Sequence, residues 1–206
     1  MSELYDYDSS IRKYYPVVCG VDEAGRGPLC GPVCCAAVVL KPDFVCDDIN
    51  DSKKLTEKKR EKLYDLIIEN AIAYSIQFVS PEQIDEMNIL GATMFGMTNA
   101  VNSLSVEPDI VLIDGNMVPD SLQGKGRYVI KGDATSMSIA AASILAKVSR
   151  DRYMMELDKK YPEYQLAKHK GYPTKLHYEK LYEFGVRNFY RKSFLKNREG
   201  LVWIDD

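Results

Sequence analysis

Four carboxylate residues follow predicted β-strands in this 206-residue sequence. Asp22 and Glu23 come directly after one apolar run, Asp114 closes a second, and Asp133 follows a third and precedes a predicted helix. Ligands of open α/β sheets bind beyond the strand ends, so neighbouring strands of suitable direction would bring these side chains into one cleft. Grouped carboxylates repel one another unless a cation neutralises them, and oxygen ligands suit Mg²⁺ or Mn²⁺. Two such ions about 3.5–4 Å apart can activate water and stabilise the leaving oxygen of a phosphodiester.

Each carboxylate also has a purely structural interpretation. Asp133 could cap the helix that follows it, and Asp114 could belong to a turn. Asp22 and Glu23 could form a salt-bridged strand end. Adjacent residues of a regular strand point to opposite faces, so both reach one cleft only if the chain bends nearby, as glycines within residues 25–27 permit. Spacing alone therefore leaves both a metal site and a structural role open.

The hydrophobic pattern predicts the elements that would position these residues. Strands are predicted at 17–21, 33–40, 71–79, 109–113 and 127–130, and helices at 56–70, 81–87, 89–104, 134–161 and 175–184. The short Gly-rich connection between the first two strands predicts an antiparallel pair. The continuous apolar run at 109–113 predicts a strand buried on both faces. The expected fold is α/β: a mixed five-stranded sheet flanked by helices, with a helical C-terminal extension.

Length and composition indicate one globular domain, which we divide into a core at 1–150 and a C-terminal lobe at 151–206 of the same domain. Hydrophobic residues make up 46% and charged residues 28%, which excludes a mostly disordered chain. The longest apolar run, 33–40, is far shorter than the roughly 20 residues of a membrane helix. The N-terminus lacks the features of a signal peptide. We therefore expect a cytoplasmic, monomeric protein without a membrane segment, whose five cysteines are buried, reduced and without zinc spacing.

The net charge of −3 conceals two opposed parts. Residues 1–146 carry a net charge of −8, whereas residues 147–206 carry +5. The stretch 164–198 carries +7 and interleaves nine Lys and Arg residues with eight Tyr and Phe residues. Cations bind phosphates and aromatic rings stack on bases, so this stretch could hold a nucleic acid. The alternative is a solvated basic surface with its aromatic side chains turned towards the core.

A series of motifs runs through nearly the whole chain. In order they are VDEAGRGPL at 21–29, DSKKL at 51–55, LIDG at 112–115, KGD at 131–133, SIAAASI at 138–144, Lys147, RDR at 150–152, KHKGY at 168–172 and RKSF at 191–194. Their content and order resemble the ribonuclease HII family, the type 2 ribonucleases H. The resemblance implies an RNase H-like fold and a Mg²⁺- or Mn²⁺-dependent endonuclease. Such an enzyme cleaves the RNA strand of RNA–DNA hybrids, and cuts 5′ of single ribonucleotides in duplex DNA, to leave 3′-hydroxyl and 5′-phosphate ends.

The resemblance also implies roles for individual residues. Catalysis and metal binding fall to Asp22, Glu23, Asp114 and Asp133. Substrate binding falls to Gly25, Arg26, Gly27, Lys53, Lys168, Lys170, Tyr172 and Arg191. The glycine loop would recognise the 2′-hydroxyl, because glycines let backbone groups approach closely and this hydroxyl distinguishes RNA from DNA. The tyrosine would pack on the following deoxyribose, where an added hydroxyl would disturb the contact.

The sequence departs from the family pattern at Gln165–Leu166, Pro173 and 188–190, all outside the carboxylates and the glycine loop. These departures concern the docking of the duplex rather than catalysis. The two histidines, His169 and His177, have no Ser or Cys in a triad context, so we expect structural or phosphate-contacting roles. One competing hypothesis is a non-catalytic hybrid-binding module, which would gain nothing from clustered acidic residues. Another, a nucleotide-binding protein, lacks the phosphate-loop motif.

Overall fold

The computed structural model describes residues 3–49, 52 and 55–204. Its strands are β1 (Val18–Ala24), β2 (Val33–Leu40), β3 (Ala71–Val79), β4 (Ile110–Asp114) and β5 (Gly126–Val129). Its α-helices are α1 (Glu3–Arg12), α2 (Glu57–Asn70), α3 (Pro81–Asn102), α4 (Met137–Lys160), α5 (Leu166–His169) and α6 (Lys175–Phe184). The strands form one sheet in the order β3-β2-β1-β4-β5. The β1/β2 and β2/β3 pairs are antiparallel, and the β1/β4 and β4/β5 pairs are parallel. The predicted mixed five-stranded sheet is confirmed.

Serine and threonine side chains fix the starts of four helices. Thr56, Ser80, Ser136 and Thr174 each accept a hydrogen bond from the backbone N–H three residues further on. At α3 the contact is reciprocal, because the Gln83 side chain also accepts from the N–H of Ser80. Such caps satisfy N–H groups that have no partner within the helix.

Alternate residues of β2 contact two helical layers. Ala36 and Val38 pack with α2 and α4, whereas Cys35 and Ala37 pack with α3. On the α4 side, a Cβ added to Gly20 of β1 would lie 2.1 Å from the carbonyl carbon of Ser138. The absence of a side chain at this position therefore allows the first turn of α4 to press directly on β1. This close packing fixes the turn before α4 relative to the end of β1.

The aromatic residues of the C-terminal part divide between core and surface. Tyr164, Phe189 and Tyr190 are almost fully buried and pack with Leu29 of the β1–β2 loop. Tyr172 is instead partly exposed. The core of the C-terminal part is therefore shared with the loop that follows β1. The expectation that aromatic side chains of this stretch turn towards the core is confirmed for Tyr164, Phe189 and Tyr190.

The helices agree only in part with the sequence expectations. Helix α1 was not predicted. The break expected between helices at 81–87 and 89–104 is confirmed, because Asn88 within α3 has a non-helical backbone (φ 61°, ψ 169°). The Asn88 side chain accepts from the N–H groups of Leu90 and Gly91, which restarts the helix after the kink. Helix α4 ends at Lys160, close to the end predicted at 161, and the division that we place at 150 lies within this helix.

All five cysteines are free, and four are buried as expected, whereas Cys46 is only partly buried. Among the described residues, no helix is both long and apolar enough to cross a membrane.

Candidate active site

The parallel pairing of β1 and β4 places Asp22 beside Asp114. The register pairs Val21 with Ile113, so the next residue on each strand is one of these carboxylates. Asp133 lies in a short 3₁₀ turn between β5 and α4, and the N–H of Gly132 in that turn donates to Oδ1 of Asp114 at 2.7 Å. The same end of the sheet therefore carries all three side chains.

Asp133 does not cap α4. The helix begins at Met137 rather than at 134, and its cap is the side chain of Ser136, which accepts from the N–H of Ile139. The turn that carries Asp133 is separate from the cap. The interpretation of Asp133 as a helix cap is therefore wrong. The residue is nevertheless buried, with 8% of its surface exposed.

Asp22 lies in an electrostatically unfavourable position. Its side chain is 5% exposed, and it accepts hydrogen bonds from the N–H of Glu23, at 2.7 Å, and from the hydroxyl of Ser143. The Ser143 hydroxyl lies 2.9 Å from the hydroxyl of Ser52, so hydrogen bonds connect Asp22 through Ser143 to Ser52. Burial raises the pKa of Asp22 well above its usual range, and the negative charges of Glu23 and Asp114 raise it further. A bound cation would relieve this repulsion.

Glu23 approaches the site from the other face of the sheet. The β1/β2 register stays regular to the end of β1, so Asp22 faces α4 whereas Glu23 faces α3. The turn comes at Gly25, whose φ is +96°. Glu23 lies 3.5 Å from the half-exposed guanidinium of Arg26. Glu23 and Asp114 nevertheless line the same cavity beside α3, so the two faces meet at the strand ends.

The four carboxylates supply oxygen ligands of the kind that Mg²⁺ and Mn²⁺ prefer. Within the described ranges, no three His, Cys, Asp or Glu side chains already form a closed metal site. The donor chemistry and the mutual repulsion at Asp22 fit a divalent cation. The side chains would have to approach one another when such a cation binds.

The loop between β1 and β2 has an exposed tip beside these carboxylates. Arg26 and Gly27 are exposed, and a Cβ added to Gly27 would meet nothing within 4 Å. Gly25 differs, because its φ is positive and a Cβ there would lie 2.0 Å from Nε of Arg150. The first glycine is therefore required by the fold, whereas the second leaves open space at the surface.

Tyr172 lies next to this loop. The N–H of Leu29 donates to the carbonyl of Gly171 at 2.8 Å, which joins the loop to the residue preceding Tyr172. The ring of Tyr172 is 39% exposed, and the charged ends of Lys147 and Arg150 lie 5.8 Å from its centre. The structure thus brings the predicted tyrosine and the predicted glycine loop together.

The remaining predicted binding residues occupy different positions. Lys168 is exposed, and its Nζ donates to the side chain of Gln165 at 2.7 Å. Lys170 is half-buried, with a φ of +50°. Arg191 is 0% exposed, and its guanidinium is directed at backbone carbonyls of the glycine loop rather than at solvent. Lys53 lies outside the described residues.

The histidines are buried in the C-terminal part. The rings of His169 and His177 stack with their centres 4.0 Å apart. Nδ1 of His169 accepts from the N–H of Gly171, and Nδ1 of His177 lies 2.9 Å from the carbonyl of Tyr172. Burial lowers both pKa values, that of His177 to about 4 with a contribution from His169. Of the two expected roles, the structure places both histidines in a structural one, beneath Tyr172.

Sequence reasoning did not single out Arg150 and Ser143. Both belong to the buried face of α4 that also contains Ala146 and Met154. The sequence signal that could have found Arg150 is its helical spacing from small and apolar residues of α4. Such a position indicates a buried arginine that needs acceptors.

The comparisons with known proteins agree with this geometry. The sequence model of the family described as Ribonuclease HII matches residues 19–197. A curated relative, the ribonuclease HII of Caldicellulosiruptor bescii, is 56% identical over 183 residues, which cover 89% of this chain and 88% of that protein. The crystal structure of the ribonuclease H2 from Pyrococcus horikoshii OT3 superposes with a TM-score of 0.74 at 31% identity, covering 85% of this chain and 92% of that one.

A more distant structure, Bst-RNase HIII in complex with Mn²⁺, has a TM-score of 0.63 at 18% identity, covering 89% of this chain and 63% of that one, and shares the fold. The sheet and its flanking helices are thus those of the RNase H-like fold. From the family match over most of its length, from the identity to the curated relative and from the shared architecture, it follows that this chain belongs to the ribonuclease HII family and is a ribonuclease H endonuclease.

Proposed function

We propose that the chain cleaves the RNA strand of RNA–DNA hybrids, and cuts 5′ of single ribonucleotides in duplex DNA, by divalent-metal-dependent hydrolysis. The products are 3′-hydroxyl and 5′-phosphate ends. The observation that carries the proposal is the adjacency of Asp22 and Asp114 on parallel strands, with the turn of Asp133 hydrogen-bonded to Asp114. This carboxylate group lies beside an exposed glycine loop and a partly exposed tyrosine.

Four carboxylates would hold the metal, namely Asp22, Glu23, Asp114 and Asp133. Burial raises the pKa of Asp22, and the charges of Glu23 and Asp114 raise it further. This supports the assignment, because a cation would stabilise the charged forms together. When two Mg²⁺ or Mn²⁺ ions are bound, they supply an activated water and stabilise the leaving oxygen. The protein orients two of these carboxylates: the Ser143 hydroxyl donates to Asp22, and the backbone N–H of Gly132 donates to Asp114.

Selection of a ribonucleotide would fall to Gly25, Arg26, Gly27 and Tyr172. The exposed tip of the loop, with open space at Gly27, supports close approach of a nucleotide to the backbone. The Tyr172 ring would pack on the next sugar if that sugar lacks a 2′-hydroxyl. Such a contact favours a junction between RNA and DNA.

The duplex backbone would contact the basic C-terminal part. The exposed Lys168 offers a cation to a phosphate, and Lys170 lies two residues along the chain. Lys53 would lie near the scissile phosphate. Arg191 would act on the substrate through the loop carbonyls that it binds.

The proposal is tested with a duplex that carries one ribonucleotide, incubated with Mg²⁺ or with EDTA. We expect one incision 5′ of the ribonucleotide in Mg²⁺ and none in EDTA, with ends that a 3′-hydroxyl-dependent polymerase extends. A non-catalytic binding module would bind the duplex and leave it intact under both conditions. Cleavage that persists in EDTA would contradict the metal-dependent mechanism.

A further inference from the structure

Two arginines lie buried beneath the glycine loop. Arg150 of α4 and Arg191 are each 0% exposed. Among the residues that the structure describes, neither forms an ion pair with a carboxylate. Burial lowers the pKa of both guanidiniums, and the neighbouring charge of Arg150 lowers that of Arg191 further, to about 9. Arginine side chains remain charged at neutral pH in proteins. Two buried cations of this kind require a dense set of hydrogen-bond acceptors.

Backbone carbonyls supply those acceptors. Arg191 donates from Nε to Gly31 (2.9 Å), from Nη1 to Arg26 (3.0 Å) and Pro28 (2.8 Å), and from Nη2 to Gly25 (2.6 Å). Arg150 donates from Nε to Pro32 (3.0 Å), from Nη2 to Cys30 (3.2 Å) and from Nη1 to Lys170 (3.0 Å). The backbone N–H of Arg191 donates to the remaining inner carbonyl, that of Leu29, at 2.9 Å. Seven of the eight carbonyls of residues 25–32 thus point towards the two arginines.

This arrangement determines where the N–H groups of the loop tip point. In a trans peptide the C=O of one residue and the N–H of the next point in opposite directions. Because the carbonyls of Gly25 and Arg26 point inwards, the N–H groups of Arg26 and Gly27 point outwards. Within the described part of the chain, neither N–H donates a hydrogen bond. Two adjacent donors are therefore held at an exposed surface.

Arg150 also contacts the segment that contains Lys170 and Tyr172. It binds the carbonyl of Lys170, and its guanidinium lies 5.8 Å from the centre of the Tyr172 ring. Gly25 fits against the Nε of Arg150 only because it has no side chain. The pair of arginines thus fixes the loop tip and Tyr172 relative to each other.

We propose that Arg150 and Arg191 are positioning residues that turn the loop carbonyls inwards and present the N–H groups of Arg26 and Gly27 to the 2′-hydroxyl of the substrate. They would set the preference for a ribonucleotide over a deoxyribonucleotide without touching the nucleic acid. The inference rests on the proposed function, since it concerns the same substrate.

The test compares the binding of two duplexes of one sequence, one with a single ribonucleotide and one entirely of DNA. Fluorescence anisotropy in Ca²⁺ gives both dissociation constants for the wild type, Arg150→Lys and Arg191→Lys. Lysine keeps the charge but lacks the planar fork that reaches several carbonyls. The matched control is Arg127→Lys, which changes an exposed arginine of β5, outside the basic stretch 164–198, in the same way.

We expect each buried variant to bind the ribonucleotide duplex about tenfold more weakly, the size of effect that one or two lost hydrogen bonds give, with little change for the DNA duplex. The control should keep the wild-type ratio. Equal weakening for both duplexes, or an unchanged ratio, would overturn the inference. A wild type that shows no preference would instead contradict the proposed function itself.

If Arg191→Lys does not fold, Arg150→Lys carries the same comparison. Arg191→Ala with added methylguanidinium provides a second measurement. Restoration of the preference by this small cation supports a positioning role, whereas restoration of thermal stability without the preference refutes it.

Discussion

Asp8 of the unpredicted helix α1 should be required for stability because it binds the start of α4. Its carboxylate is fully buried and accepts from the hydroxyl of Ser136 (2.6 Å), and from both the N–H (2.8 Å) and the hydroxyl (2.6 Å) of Ser138. Asp8→Ala leaves these three donors without their acceptor. The N–H cannot reorient, whereas the two hydroxyls can rotate. Each buried unsatisfied donor costs about 1–3 kcal/mol, so we expect a loss of about 3 kcal/mol.

The free energy of unfolding is measured by urea denaturation, and Tm by calorimetry. At about 2–4 °C per kcal/mol for a chain of this size, Tm should fall by about 6–12 °C. The control is Asp6→Ala, an exposed carboxylate on the same helix, which should change Tm little. A Tm for Asp8→Ala within about 2 °C of the wild type would show that α1 does not hold the start of α4.

Three further predictions concern the loop, the tyrosine and the histidines. Gly25→Ala should lower Tm and activity, because of its positive φ and the buried guanidinium at 2.0 Å, whereas Gly27→Ala should fold normally and lose selectivity for a ribonucleotide. Tyr172→Ala should lose more in cleavage of a single-ribonucleotide duplex than in affinity for it. His177 has a pKa lowered to about 4, so the unfolded chain binds a proton below about pH 6.5 before the folded chain does. Stability should therefore fall as the pH falls, by about 2 kcal/mol between pH 7 and pH 5, and His177→Gln should remove most of that loss.

Each of these has an outcome that would refute it. Equal effects of the two glycine variants on Tm would contradict the geometry of the loop. Equal losses in cleavage and affinity would show that Tyr172 only anchors the duplex. A shift in the urea midpoint between pH 7 and pH 5 that is the same for the wild type and His177→Gln would contradict the buried, neutral state of His177.

Local sequence patterns predicted the strands of the sheet and the positions of the carboxylates at the strand ends. Alternating or continuous apolar runs bounded by Gly and Pro located all five strands, and residues at the ends of parallel strands meet at one edge. Asp22 and Asp114 therefore came together as expected. We did not predict that β1 stays regular through Glu23. The sequence does not show that α3 lines a cavity on the face of the sheet to which Glu23 points.

The sequence did not predict which charged side chains are buried. Arg191 was expected to bind substrate, because its motif resembles that of the family and it lies in a basic segment. Its guanidinium instead contacts carbonyls 160 to 166 positions away in the chain, which no local pattern reveals. Asp8 was missed for a similar reason. It lies on the core-facing side of α1 with the buried Leu4 and the partly buried Tyr7 and Ile11, where a carboxylate is not expected from the sequence.

The central claim, that the strand-end carboxylates are the catalytic metal ligands, is tested most directly by the single-turnover cleavage rate of Asp22→Asn on a single-ribonucleotide duplex in Mg²⁺. The exposed Asp43→Asn is the matched control, and duplex affinity is measured alongside. We predict a loss of about a hundredfold or more for Asp22→Asn with affinity retained, since changes to the outer partners of metal ligands alone cost up to about that much. A rate for Asp22→Asn equal to that of the control would contradict the account.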